Sequence, residues 1–284
     1  MLPYTSRVPA TSVVQSLPYV AWVLLAALAT GSFAFVVLTR QLTDATRGYL
    51  GFTAFCAGLL ALLTLAADWG LPAPTDLVVR TAPADLSLLR EYGLVAFAAA
   101  ALVYPFVGRR PRASLVVALA GLAAGTVVLG AAAFGWAPSA VDGVPLLVQL
   151  VMLALATGGS LAAIVLGHWY LVTPKISERP LVLQARALLA TVGLQVLLFV
   201  TWTTLGGGPG QDAFDAFSGG SLLLVVLRLV VSLLFPLALC AMAWRTALTR
   251  SMESATGLLY INLAAVMAGT IGAAALYLSS GLLL

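Results

Sequence analysis

Pro145 to Leu171 reads PLLVQLVMLALATGGSLAAIVLGHWYL, without one Asp, Glu, Lys or Arg. About 20 apolar residues in a helix cross the roughly 30 Å hydrocarbon layer of a bilayer. No water is available at that depth to satisfy an open strand edge or loop, so the segment reads as a transmembrane helix. The remainder of the chain has the same character. Of its 284 residues, 62% are hydrophobic and 8% charged, and the mean hydropathy is +1.07. A soluble domain carries about a quarter charged residues, so a water-coated globular fold is excluded. The expected class is an all-α, polytopic transmembrane helix bundle.

Apolar runs between charged or Gly/Pro-rich breaks place about eight spans, at 18–39, 48–67, 92–107, 113–135, 145–171, 182–205, 221–244 and 255–283. Together they make one integral-membrane helical domain over residues 1–284. The third span is short, near the lower limit for crossing. Basic residues collect in cytoplasmic loops, and ten of the 14 here fall in the odd-numbered connections: Arg40, Arg47, Arg109, Arg110, Arg112, Lys175, Arg179, Arg186, Arg245 and Arg250. The amino-terminal arm and even-numbered connections hold Arg7, Arg80 and Arg90. Eight spans with both termini on the non-cytoplasmic side follow, in the cell (plasma or inner) membrane. One arginine precedes the first apolar run and two follow it, the reverse of a signal peptide, so that run is expected to stay as a helix.

Trp and Tyr residues, from Tyr4 and Tyr19 to Tyr260 and Tyr277, fall near helix ends and are expected to form two interfacial belts. Small residues at four-residue spacing suggest close packing seams: Gly121 and Gly125 in the fourth helix, and Ala264, Ala268 and Gly272 in the eighth. Ala-Thr-Gly-Gly-Ser at 156–160 adds another, and Asn262 is a candidate for an interhelical hydrogen bond. Pro105 and Pro236 each remove a helix hydrogen bond and are expected to kink their spans. An echo between AGLAAGT at 120–126 and AAVMAGT at 264–270 suggests a weak 4+4 parallel repeat.

Several chemistries are excluded or disfavoured. The single histidine, His168, rules out a two-imidazole haem site and disfavours a metal site, and Cys56 and Cys240 have no C-x-x-C spacing. No catalytic residues and no metal ligands are assigned, and independent catalytic activity is not expected. The net charge of +4 belongs to topology; no basic, aromatic-interleaved patch suggests nucleic acid. The glycine-rich run at 205–210 lacks the Lys-Ser/Thr of a phosphate loop and reads as a flexible turn.

Two candidate sites emerge. Arg228 lies inside the seventh span, where an arginine costs at least about 2.5–3.5 kcal/mol by insertion scales, so it needs a partner or water. Asp68 and Glu91, with Asp212 and Asp215, are the acids in reach, and Arg228, Asp68 and Glu91 form a candidate intramembrane charge site. Asp68 and Arg90 bound an outer connection that reads either as a lid or as an amphipathic piece on the bilayer. On the inner side, His168, Trp169, Tyr170 and Arg186 form a candidate quinone or lipid contact, since an interfacial donor beside an apolar slot suits a quinone carbonyl. The first functional expectation is therefore a membrane subunit of a larger assembly, electron-transferring and quinone-contacting without its own metal or haem. The alternative is a transporter or permease for a small, anionic solute. Expected partners are the lipid bilayer and other membrane subunits or further copies of the chain.

Overall fold

In the computed structural model the chain forms eight long helices, and the structure describes residues 10–75, 77–173, 176–209, 211–217 and 222–284. They are α1 (Ala10–Leu42), α2 (Arg47–Trp69), α3 (Ala84–Val107), α4 (Pro111–Trp136), α5 (Ala140–Val172), α6 (Arg179–Leu205), α7 (Leu222–Leu248) and α8 (Met252–Ser280). Each is long and apolar enough to cross a bilayer, and no strand occurs among the described residues. Outward faces carry exposed Leu63, Val116, Leu197 and Leu223, side chains that only a lipid environment solvates cheaply. The molecule is a multi-pass membrane helix bundle. Tyr4, Arg7, Asp76, Pro174, Lys175 and Gly210 lie outside the described residues, as does the side chain of Asp215.

The helices α1 and α5 form the centre. In each, 72% of the most apolar window is buried, against 33% in α3, α6 and α7. Their backbones touch where both lack side chains: a Cβ on Gly31 would fall 1.7 Å from the Ala154 carbonyl oxygen, and one on Gly158 would fall 2.3 Å from the Ser32 nitrogen. Lipid offers no hydrophobic force between helices, so such close approach is how dispersion holds them. The seam on α4 follows the same rule, with Gly121 against the Phe33 ring and Gly125 against Phe97 and Thr30.

Four expectations need correction. The third span is not short: α3 runs from Ala84 to Val107, because Arg90 is neutralised inside the bundle and the helix continues past it. On α8 the interior stripe lies one residue along from the expected one. Ala265, Gly269 and Ala273 are buried, Ala264 and Ala268 are exposed, and a Cβ on Gly272 meets nothing within 4 Å. The aromatic belts are partial. Trp69, Tyr92 and Tyr260 are exposed, whereas Tyr19, Trp22, Tyr49, Tyr104, Trp136, Tyr170 and Tyr277 point inward and are buried.

The fourth correction concerns the α2–α3 connection, which is neither a lid nor a bilayer-lying piece but a strap across helix ends. Val78 N–H donates to the Leu278 carbonyl (3.0 Å) and Arg80 N–H to that of Trp136 (3.0 Å). The Arg80 side chain donates to Phe134 (2.8 Å) and Gly135 (3.3 Å), satisfying carbonyls that the end of α4 leaves open. Tyr19 Oη donates to the Pro72 carbonyl at 2.6 Å, fastening α1 to the same strap.

Pro236 acts as its chemistry dictates. It has no N–H, and the ladder before it widens into a π-helical segment, Val230–Leu234, in which Phe235 N–H donates to the Val230 carbonyl. This segment begins two residues after Arg228.

Candidate anion site

Arg228 sits six residues after Leu222, about 9 Å along the helix from its start. It is 5% exposed. Its Nε donates to the Leu284 backbone oxygen at 3.2 Å. Packing brings Nη1 so near α8 that a Cβ on Gly269 would lie 2.8 Å from it, so the small residue there makes room for the guanidinium. Among the described residues the ion pairs are Asp68–Arg90 and Glu178–Arg250; no Asp or Glu side chain pairs with Arg228.

A small cavity between α5, α6 and α7 is lined by Arg228 together with Gln149, Met152, Leu153, Gln195, Leu198, Trp202 and Leu284. It holds about 10 Å³, room for about one water-sized group. Both glutamines are buried, and among the described residues Gln149 Oε1 and Gln195 Nε2 have no hydrogen-bond partner. An unpaired amide in an apolar interior costs about 1–3 kcal/mol, so this site has unmet polar capacity on three helices. The Gln195 donor and the guanidinium offer N–H groups to an acceptor, and the walls Met152, Leu153 and Leu198 exclude other polar partners. Gln149 and Leu153 also line a second cavity of about 10 Å³, with Trp136 and Tyr277, whose hydroxyl is likewise unpartnered.

The other sequence candidates are dispersed. Asp68 pairs with Arg90, not with Arg228, and Glu91 stands half-buried on α3 beside that pair. Asp212 is exposed in the α6–α7 connection. On the opposite face, His168 is exposed, while the buried Tyr170 donates its hydroxyl to the Ser177 carbonyl. Trp169 packs on Gly48 at the start of α2. Arg186 is exposed, with its guanidinium 5.7 Å from the Trp244 ring centre on α7. Each of Trp169, Tyr170 and Arg186 thus engages a different neighbour. Among the described residues no group of three His, Cys, Asp or Glu side chains comes together.

Two polar joints escaped sequence reasoning in part. Asn262 Nδ2 donates to Ser160 Oγ (2.8 Å) and its Oδ1 accepts from the Cys240 thiol (3.4 Å), tying α5, α7 and α8 together. Gln184 Nε2 donates to Thr39 Oγ1 and Tyr49 Oη, each at 2.6 Å, tying α6 to α1 and α2. The available signal was plain: Gln149, Gln184 and Gln195 are amides inside apolar spans, where a polar side chain turns inward.

No family model matches this sequence, and no curated protein or solved structure matches it either.

Proposed function

We propose that the protein is a carrier or permease for a small monovalent anion, with Arg228 as the charge that receives it. The observation that supports this most is a buried guanidinium that no Asp or Glu side chain pairs with among the described residues, bonded to the Leu284 backbone oxygen and sharing a cavity with two glutamines that each have one unpaired amide atom among those residues. An anion would accept from the Arg228 guanidinium and from Gln195 Nε2 at once, while Gln149 Oε1 would need a donor such as a water entering with it, and charged residues within spans mark ion and substrate paths. The π-helical segment and Pro236 supply α7 with a place to change its hydrogen-bond register beside the site. In this reading the protein lies in the cell or inner membrane with its arginine-rich connections toward the cytoplasm. The geometry of His168, Trp169, Tyr170 and Arg186 gives the quinone-contacting subunit no comparable support.

The test is anion flux into liposomes holding the purified full chain, with chloride, nitrate, formate and acetate offered separately. The wild type should move at least one of them faster than empty liposomes do. Arg228→Ala should abolish that flux and Gln195→Leu should reduce it, with Arg228→Lys retaining part. Wild-type liposomes no leakier than empty ones to all four anions, or an Arg228→Ala protein as fast as wild type, would overturn the reading.

A further inference from the structure

On the face opposite the start of α1 and the end of α8, three arginines from separate places in the chain line one cavity. Arg40 comes from the last turn of α1, Arg47 from the first residue of α2 and Arg109 from the α3–α4 turn, with Tyr104, Pro105 and Leu50 completing the wall. The cavity measures about 180 Å³, room for a polyatomic group and not merely one water. It is continued by a wider depression of about 510 Å³ that adds Arg112 and Leu115. Topology alone requires arginines in these connections but does not require them to converge.

The cavity has unmet binding capacity. Arg40 is held in place by Nη2, which donates to Ser114 Oγ (2.8 Å) and the Gly108 carbonyl (3.4 Å), and a guanidinium has further N–H groups to offer a ligand. Tyr104 is 1% exposed, and its hydroxyl stands in hydrogen-bonding reach of the Arg40 guanidinium, so a group bound there would meet both. Among the described residues no Asp or Glu forms an ion pair with Arg40, Arg47 or Arg109, and the acid nearest in sequence, Asp44, is exposed. Three guanidiniums around one concavity repel one another until an anion joins them. Their planar donor forks match phosphate oxygens.

We infer that Arg40, Arg47, Arg109 and Tyr104 form a binding site for a phosphate group. Its surroundings favour a phospholipid headgroup, because Leu50, Leu115 and Pro105 line the cavity and the neighbouring depression and the adjacent Phe106 is 84% exposed, an apolar margin suited to acyl chains. The site does not depend on the anion reading of Arg228, which lies on other helices.

The experiment is native mass spectrometry of the purified full chain in mild detergent, titrated with phosphatidylglycerol or phosphatidylcholine, with inorganic phosphate as competitor. The wild type should retain phosphatidylglycerol selectively. Arg47→Gln with Arg109→Gln changes only exposed side chains, so it should fold normally and lose on the order of thirtyfold in that retention, about fivefold per arginine. Tyr104→Phe should weaken retention by a few-fold without altering the helix content. Release of the lipid by millimolar phosphate would support the site and assign it to soluble phosphate compounds, while resistance would support the site and assign it to lipid. Equal retention of both lipids by the wild type, or undiminished selectivity in the double variant, would overturn the inference.

Discussion

Arg90 and Asp68 form a bidentate ion pair inside the bundle. Nε lies 2.6 Å from Oδ1 and Nη2 3.3 Å from Oδ2, with the two side chains 5% and 4% exposed. The guanidinium carbon also stands 5.6 Å from the Trp22 ring centre and 5.2 Å from that of Trp136, and these rings meet each other edge to face. Aromatic faces attract a cation most strongly when water is absent. The pair therefore joins the end of α2 to α3 while two rings from α1 and α4 cover it. Four helices meet at one charge.

Removing one partner should be far worse than removing both. Asp68→Asn leaves the Arg90 charge buried without a counter-ion, a loss of about 3–5 kcal/mol. Asp68→Leu combined with Arg90→Met replaces the pair by apolar groups and should recover most of that stability. Thermal unfolding in a fixed detergent and lipid mixture measures both. A double variant as unstable as the single one would mean that the pair does more than compensate itself.

The glycines divide sharply by what faces them. Gly31→Ala and Gly158→Ala would drive a methyl group into backbone atoms of the partner helix, so α1 and α5 must separate and the folded yield should fall severely. Gly130→Ala, Gly257→Ala and Gly272→Ala meet nothing within 4 Å. Alanine favours a helix over glycine by about 0.8–1 kcal/mol, so these three should be neutral or raise the melting temperature. Equal effects in the two groups would contradict the central packing.

Gln184 should report the α1–α2–α6 joint. Tyr49→Phe removes the hydroxyl that accepts from Gln184 Nε2 and donates to the Ala162 carbonyl at 3.3 Å. Hydrogen bonds between membrane helices average about 0.6 kcal/mol and reach about 1.7, and the loss should fall in that range. Gln184→Leu removes both donors together with the buried Oε1 that has no partner, so it should cost no more than Tyr49→Phe. A much larger loss for the leucine variant would show that Oε1 has a partner within the membrane.

What the sequence made legible was whatever depends on composition and spacing. The eight apolar runs, the Gly121–Gly125 seam and the inward Asn262 follow from local chemistry, and the structure places them accordingly. What it hid was partnership. Arg90 and Glu91 looked like the outer limit of a span because a lone arginine avoids lipid, yet Asp68, 22 residues away, cancels that cost. Inward and outward faces of α8 could not be separated by hydropathy because Ala and Gly stand on all sides of it. The Arg228 site was half visible: the cation stands out in an apolar helix, whereas Gln149 and Gln195 reach it only through the packing of α5 and α6.

Pro236 offers the most direct link between stability and function. Its missing N–H and its ring displace α7 into the π-helical register two residues after Arg228. Pro236→Ala restores a donor and removes the clash, so α7 can close into a regular helix, and a helix-interior proline costs about 3 kcal/mol relative to alanine. The variant should melt higher than wild type by part of that amount. Regularising the segment turns the Arg228 portion by up to about 100° relative to the rest of α7, which moves the guanidinium away from Gln149 and Gln195. Anion flux should then fall although the protein is more stable, the trade expected when a strained segment serves a site. Comparing melting temperature and liposome flux in the same preparations decides it: a variant that melts higher and transports equally well would separate the π-helical segment from the site.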